Sequence, residues 1–530
     1  MAETPSADPT MDDDAAPSEQ LVLRRVFAFL IMVFGMFMSI LDIQIVSASL
    51  SEIQAGLSAS SSEISWVQTA YLIAEVIAIP LSGFMSRALG TRYLFAISAA
   101  GFTASSLMCG MTSSIEQMIL WRAIQGFLGA GMIPTVFASA YTVFPRSKMY
   151  IVSPIIGLVA TLAPTVGPTV GGYLTDALSW HWLFFINVLP GIGITIGVLA
   201  LVDFDRPHLS LLDKFDWVGL LSMAGFLGAL EYVLEEGPQY EWLQDPSVAV
   251  LAAVCVISAV VFFYRVLTAK QPIVDIRAFS NRNFAFGSAF SFCLGMGLYG
   301  LTYIYPRYLA EIRGYSAMMI GETMFVSGAC MFLSAPLVGR MMLKLDMRVM
   351  IAVGLVMFSL GTWQMTGMTR DYDFWELFWP QVFRGVGMML AMVPINNIAL
   401  GTLDASLMKN ASGLFNLTRN LGGAVGLAII NEMINDRTDL HISRLHDVVT
   451  WGNATAVDTL NMLTQRFQGL GDASMMAMKE LTLITHRQAS VMGFADVFFL
   501  LSVFYIGLST LVFFVDKPVV GMGGAAADAH

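Results

Sequence analysis

Charge is what this sequence has least of. Only 13% of its 530 residues are Asp, Glu, Lys or Arg, where soluble domains carry about a quarter, so long stretches have nothing to hold them in water. A basic excess is missing as well. The formal net charge is −11, which excludes the electrostatic footprint of a nucleic-acid binder. Cysteine is scarce: Cys109, Cys255, Cys293 and Cys330 all fall in apolar runs without CxxC spacing. That excludes a disulfide scaffold and reads as buried packing thiols. No GxxxxGK[ST] run occurs, so ATP-driven work by this chain is excluded. No nucleophile–base arrangement suggests an enzyme, and nothing calls for a metal or a cofactor.

What is present is apolar sequence, 56% of the chain. A helix needs roughly 20 apolar residues to cross about 30 Å of hydrocarbon. Fourteen such runs are predicted, at 26–48, 65–86, 93–112, 116–138, 150–174, 183–203, 215–235, 247–267, 284–306, 317–341, 349–368, 376–401, 410–433 and 493–515. They are numbered here as spans 1 to 14. The fold class is therefore an all-α polytopic membrane protein. The acidic, proline-containing stretch before Leu21 lacks a signal-peptide core, so residues 1–24 read as a disordered cytoplasmic tail, and residues 517–530 as a second tail. Seventeen of the 28 basic residues fall on the side that holds the N-terminus, which makes that side cytoplasmic, with both termini inside.

The two ends of the chain repeat each other. Span 4 carries Arg122, Gln125, Gly126, Gly129 and Pro134; span 12 carries Gln381, Arg384, Gly385, Gly387 and Pro394. Spans 5 and 13 are both glycine-dense, with Gly167, Gly171 and Gly172 against Gly422, Gly423 and Gly426. Repeated halves with a pathway between them are the plan of secondary transporters. Matching the halves leaves two extra helices, giving a 6+2+6 layout. The N-terminal bundle covers 25–204, the inserted spans 7 and 8 with their flanks 205–283, and the C-terminal bundle 284–516, including an outer loop at 434–492.

An ionisable group near the bilayer centre costs about 2.5–3.5 kcal/mol on insertion scales, so each needs a reason. Asp42 lies about 24 Å up span 1 and Arg122 about 9 Å down span 4 at 1.5 Å per residue. Those depths nearly coincide. A carboxylate paired with arginine stays ionised, and one whose arginine is drawn away takes a proton. The pair is thus a proton switch or a static lock between two spans. Glu75 is the deepest acid and must be protonated or face a wet cavity. No histidine lies within a span, so proton transfer there falls to carboxylates. Glu231, near the outer end of an inserted span with Glu235 and Glu236 beyond it, reads as structural or interfacial. Arg384 and Arg419 fall near mid-membrane beside Asn396, Asn397, Asn416 and Asn420. They form either a cationic cavity wall, suited to lipophilic anions or zwitterions, or a self-satisfied polar cluster. In span 5, Gly157, Gly167, Gly171 and Gly172 permit close helix approach, and Pro164 and Pro168 bend the helix.

These residues carry a resemblance. Leu41-Asp42-Ile43-Gln44-Ile45-Val46, the Arg122-to-Gly131 stretch, Ala163-Pro164 through Gly171-Gly172, and the Phe-Phe-Ile-Asn187-Val run resemble the motifs of the major facilitator superfamily. So do Pro272-Ile-Val-Asp275 and Asn416-Leu-Thr-Arg419-Asn420. Within the superfamily the match is to the 14-span drug:proton antiporters of the EmrB/QacA type, on the EmrB side of that group, from about residue 25 onward. The loop after span 2 departs from the pattern, with Arg87 where the wider superfamily has aspartate. That puts its gating salt bridge in doubt and leaves Arg87 as a positive-inside anchor.

The resemblance implies a multidrug exporter that moves lipophilic compounds by alternating access, driven by the proton gradient. Asp42, Glu75 and Arg122 would couple protons, and Gln125, Arg384, Asn416, Arg419 and Asn420 would line the substrate cavity. Gly157, Pro164, Gly167, Pro168, Gly171 and Gly172 would form the antiporter motif. It also implies a bacterial inner membrane location, a periplasmic membrane-fusion adaptor and a TolC-type outer-membrane channel. The alternatives are a proton-coupled carrier of one metabolite, lipid or fatty acid, and a receptor or scaffold that moves nothing. In the outer loop, Val457, Leu460, Leu463 and Phe467 recur at helical spacing, and Asp472 is placed to cap a second helix. The loop is a docking surface for the adaptor or a lid.

Overall fold

The computed structural model describes residues 19–469 and 471–517, and all regular structure among them is helical. The first helix spans Glu19–Ser47, so the expected 1–24 tail ends earlier than its composition suggests. The rest of both expected tails, 1–18 and 518–530, lies outside the described residues.

Thirteen segments among the described residues are long and apolar enough to cross a membrane, and they correspond to spans 1–12 and 14. The expected span 13 lies inside a 44-residue helix, Ala405–Val448, which is too polar to qualify by composition. The cause is where its polar groups go. Asn410, Asn416 and Arg419 are at most 4% exposed, turned onto neighbouring helices, so the helix needs no uniformly apolar surface. Span 4 is two helices, Ile115–Gly129 and Met132–Val143.

Glycine sets the closest contacts, and it does so alike in both halves. A Cβ on Gly171 of span 5 (Met149–Ala177) would sit 2.7 Å from the Ile45 carbonyl oxygen of span 1. A Cβ on Gly422 of span 13 would sit 2.1 Å from the Phe292 carbonyl oxygen of span 9 (Arg282–Glu311). Span 5 also faces the other half: Gly157 packs against Val393 of span 12, and Gly339 of span 10 packs against the Tyr150 carbonyl. It runs as one helix through Pro154, Pro164 and Pro168. Inserted span 7 (Trp217–Glu236) packs on span 2 (Ser61–Leu89) and on span 13.

At the end expected to face the cytoplasm the halves are tied together. Lys409 of span 13 forms an ion pair with Asp205, which follows span 6, and donates to the Ser86 carbonyl at 3.0 Å. Asp205 also accepts from the Thr91 amide at 2.9 Å, capping span 3, which begins after Gly90 without a side-chain cap of its own. The loop that carries Arg87 instead of an acid thus meets the carboxylate of Asp205, at Thr91. Arg87 lies half-buried against Phe84, 5.6 Å from the ring centroid. Lys409→Asp is expected to lower transport about five- to tenfold, a typical coupling magnitude. Adding Asp205→Lys should restore most of it, measured with the purified variants in liposomes. A swap no better than the single variant would show that the pair does not hold the halves.

The 434–492 segment is not a loop. The span 13 helix continues to Val448, a helix covers Ala454–Arg466, and the helix leading into span 14 begins at Ala473 with Asp472 accepting from Met475 N at 3.1 Å. Polarity there marked exposure to water, not lack of structure. Trp242 donates to Glu432 at 3.0 Å and His441 contacts Asp496 at 2.9 Å, fastening the extension. Leu463 is buried and its helix packs on the span 14 helix, so the apolar stripe is used within the chain. Exposed side chains here are others, among them Trp451, Met462 and Met475.

Candidate functional site

The depth count along spans 1 and 4 is met by an ion pair. Arg122 Nη1 lies 2.6 Å from Asp42 Oδ2, and both side chains are fully buried. The other carboxylate oxygen, Oδ1, accepts from Asn187 at 2.6 Å and from Gln125 at 3.2 Å. Arg122 has further acceptors: Gln125 Oε1 at 2.8 Å from Nη1 and the Val67 carbonyl at 3.2 Å from Nε. Its guanidinium stacks over the Tyr71 ring at 4.2 Å, a favourable arrangement for a desolvated cation. Asn187 donates to Ser106 as well, at 3.1 Å. Gln125 and Val67 hold the guanidinium while the pair is intact and remain in reach of it when Asp42 is neutral, and Nη2 has no hydrogen-bond partner.

Glycine holds this cluster in place. A Cβ on Gly126, one turn beyond Arg122, would fall 2.4 Å from the Tyr71 carbonyl oxygen, and one on Gly167 would fall 2.3 Å from Gln44 Cβ. The two motifs thus seat spans 4 and 5 against the segments that carry Tyr71 and Asp42.

Beside the pair is a cavity of about 580 Å³ between the halves, toward the end opposite the Lys409 contact. Glu75, one turn beyond Tyr71 on span 2, lines it, and is 2% exposed with Oε1 lacking any hydrogen-bond partner. Glu231, Glu235 and Glu236 of the inserted span line it too. Thr69 donates to Glu236 at 2.9 Å. Glu231, read as structural or interfacial, is 5% exposed and lines this cavity, because span 7 packs on span 2.

Of the five residues expected to line a substrate cavity, Asn420 does so, accepting from the Tyr299 hydroxyl at 3.5 Å. The other four are not among its lining. Gln125 belongs to the Asp42 network. Arg384 is buried against Tyr305, 5.1 Å from the ring centroid, and donates to Ser327 at 3.3 Å. Arg419 donates to Asn416 and stacks on Phe137 of the other half at 5.2 Å. Both cations pack on aromatic rings away from this cavity, nearer the self-satisfied cluster than the cationic wall of the two readings, and the lining of this cavity is acidic. Sequence reasoning passed over Asn187 as a ligand of Asp42, although it stands in the Phe-Phe-Ile-Asn-Val run. It named Glu235 and Glu236 only as the acids beyond Glu231 and gave them no place in a cavity, which they line.

Comparison with known proteins gives a consistent result. The family model for the Major Facilitator Superfamily matches residues 32–427. The chain is 41% identical to the colistin resistance protein EmrB of Acinetobacter baumannii, over 92% of this chain and 96% of that protein. It is 29% identical to the multidrug export protein EmrB of Escherichia coli, over 93% and 96%. It is 28% identical to the fatty acid resistance protein FarB of Neisseria gonorrhoeae, over 92% and 96%. Among solved structures, the human organic anion transporter MFSD10 superposes with a TM-score of 0.55 at 12% identity, covering 91% of this chain and 99% of that one. That likeness concerns the fold.

Proposed function

The chain belongs to the major facilitator superfamily, among its EmrB-type drug transporters, and from that premise we propose that it is a proton-coupled exporter of lipophilic compounds. The observation that carries the reading is the buried Asp42–Arg122 pair, whose arginine is also held by Gln125 and Val67, beside a cavity between the halves. Protonation of Asp42 neutralises it, Arg122 keeps Gln125 and Val67 but loses its counter-charge, and the contact between spans 1 and 4 loosens. Release of the proton restores the pair. Span 5, seated by Gly167 and Gly171 on span 1 and by Gly157 on span 12, is the element that carries such a change to the interface between the halves.

The setting proposed is a bacterial inner membrane with both termini cytoplasmic, so that the cavity faces the periplasm and the Lys409 contact the cytoplasm. A periplasmic adaptor and a TolC-type channel are the proposed partners. Supporting them is the length of the span 13 helix. Its 44 residues extend about 66 Å at 1.5 Å per residue, twice the hydrocarbon thickness, so a helical hairpin stands beyond the bundle. Similarity to FarB favours a second reading, a carrier of fatty acids. The carboxylates of the cavity weigh against an acidic ligand.

The test is purified protein in liposomes with an imposed ΔpH and a panel of lipophilic cations, anions and neutral compounds. Accumulation of at least one class that collapses with a protonophore is the expected result. Movement of every compound at one rate with and without ΔpH would contradict the proposal.

A further inference from the structure

Of the side chains that line the cavity, among the described residues, five are carboxylates and one is basic. The basic one, Arg307, is already committed: it pairs with Glu311 at 2.8 Å and donates to Asn431 at 3.2 Å. Glu75, Glu231, Glu235 and Glu236 have no ion-pair partner among the described residues, although Glu75, Glu231 and Glu236 are at most 5% exposed. Arg122 and Arg419 are buried cations that bond Asp42 and Asn416, each with one guanidinium nitrogen left without a partner, and neither lines the cavity. Unpaired carboxylates in a dry setting are costly. A wall of them, with Glu75 lining the cavity and its buried Oε1 without a hydrogen-bond partner, is the complement of a cation. The rest of the lining is the complement of an apolar body: Leu72, Val76, Tyr299 and Ile320 stand around the acids.

We infer that this acidic wall, three of whose four carboxylates come from inserted span 7, is the subsite for the positive head of a lipophilic monocation such as an aryl phosphonium or quaternary ammonium compound. The inference rests on the export reading but adds to it. It gives the inserted pair of spans a part in substrate recognition, and it gives the substrate a sign. The apolar groups of the ligand lie on Leu72 and Ile320, the Tyr299 ring offers its face to the charge, and Glu231 and Glu75 supply the counter-charge. An anion of the same shape meets only repulsion there.

Tetraphenylphosphonium and tetraphenylborate share size and shape and differ in sign, so their binding to the detergent-purified full-length protein isolates the charge. The measurement is made by equilibrium dialysis without any gradient, so its outcome is independent of whether transport is proton-coupled. The phosphonium should bind at least about tenfold more tightly than the borate, and Glu231→Gln with Glu235→Gln should remove at least about tenfold of that affinity, as expected for loss of a buried counter-charge. Glu231→Asp, which keeps the charge, should retain most of the binding, and this guards against a folding defect in the amide variant. Equal binding of the two ions, or an amide variant that binds phosphonium like the parent, would overturn the inference. Failure of ΔpH-driven transport with intact phosphonium preference would instead count against the export reading alone.

Discussion

Asp42→Asn should lower ΔpH-driven export by about 100-fold or more, the range lost when a positioned proton-transfer group is removed. The amide keeps the size of the carboxylate and can still accept from Asn187, but it neither takes nor gives a proton at working pH. It also leaves Arg122, fully buried, without its counter-charge. Removing one partner of a buried pair costs about 3–5 kcal/mol, so lost stability has to be separated from lost coupling. The double variant Asp42→Asn with Arg122→Gln does so. If the pair is a static lock, neutralising both partners restores stability and transport together. In the switch described above, the double variant recovers thermal stability while transport under ΔpH stays at background. Recovery of full proton-driven transport would remove Asp42 from the coupling mechanism.

Gly171→Val should be among the damaging single changes away from charged groups. A Cβ alone would meet the Ile45 carbonyl oxygen at 2.7 Å and Ile45 Cα at 3.1 Å, and these are backbone atoms that cannot rotate aside. Two further methyl groups force spans 1 and 5 apart beside Asp42. Overpacking a close contact costs about 1–3 kcal/mol or more. Transport should fall at least about tenfold, with a lower melting temperature in detergent. Gly193→Val in span 6 is the control, since nothing lies within 4 Å of a Cβ there. Equal effects of the two substitutions would show that close approach at position 171 is not what the motif supplies.

The parts of this arrangement legible in sequence were those fixed by one-dimensional rules. Rise per residue was enough to bring Asp42 and Arg122 to one depth, and they are paired. Helical spacing marked Ala454–Arg466 and a capping acid marked the start at Ala473. What was not legible depended on which helix faces meet. Nothing in the run around Asn187 says that its amide reaches Asp42, 145 positions away. The acids of span 7 read as interfacial because their depth was countable and their azimuth was not. Arg384 and Arg419 were read by charge, yet each rests on an aromatic ring supplied by a distant span. Polarity misled twice for a single reason. It was taken to mark a loop or a pathway, whereas in span 13 it marks side chains buried against neighbouring helices and in 434–492 a continued helical structure.

Exchange of substrate for protons is the central claim, and it is tested most directly in reverse. Proteoliposomes of the purified protein, loaded with a pH-sensitive dye and started at equal pH on both sides, receive tetraphenylphosphonium outside, with valinomycin and potassium clamping the membrane potential. Antiport requires that entry of the cation drive protons out, so the lumen should become alkaline, and Asp42→Asn vesicles should show no such change. Entry of the cation with no movement of lumenal pH in vesicles of the parent protein would contradict proton coupling.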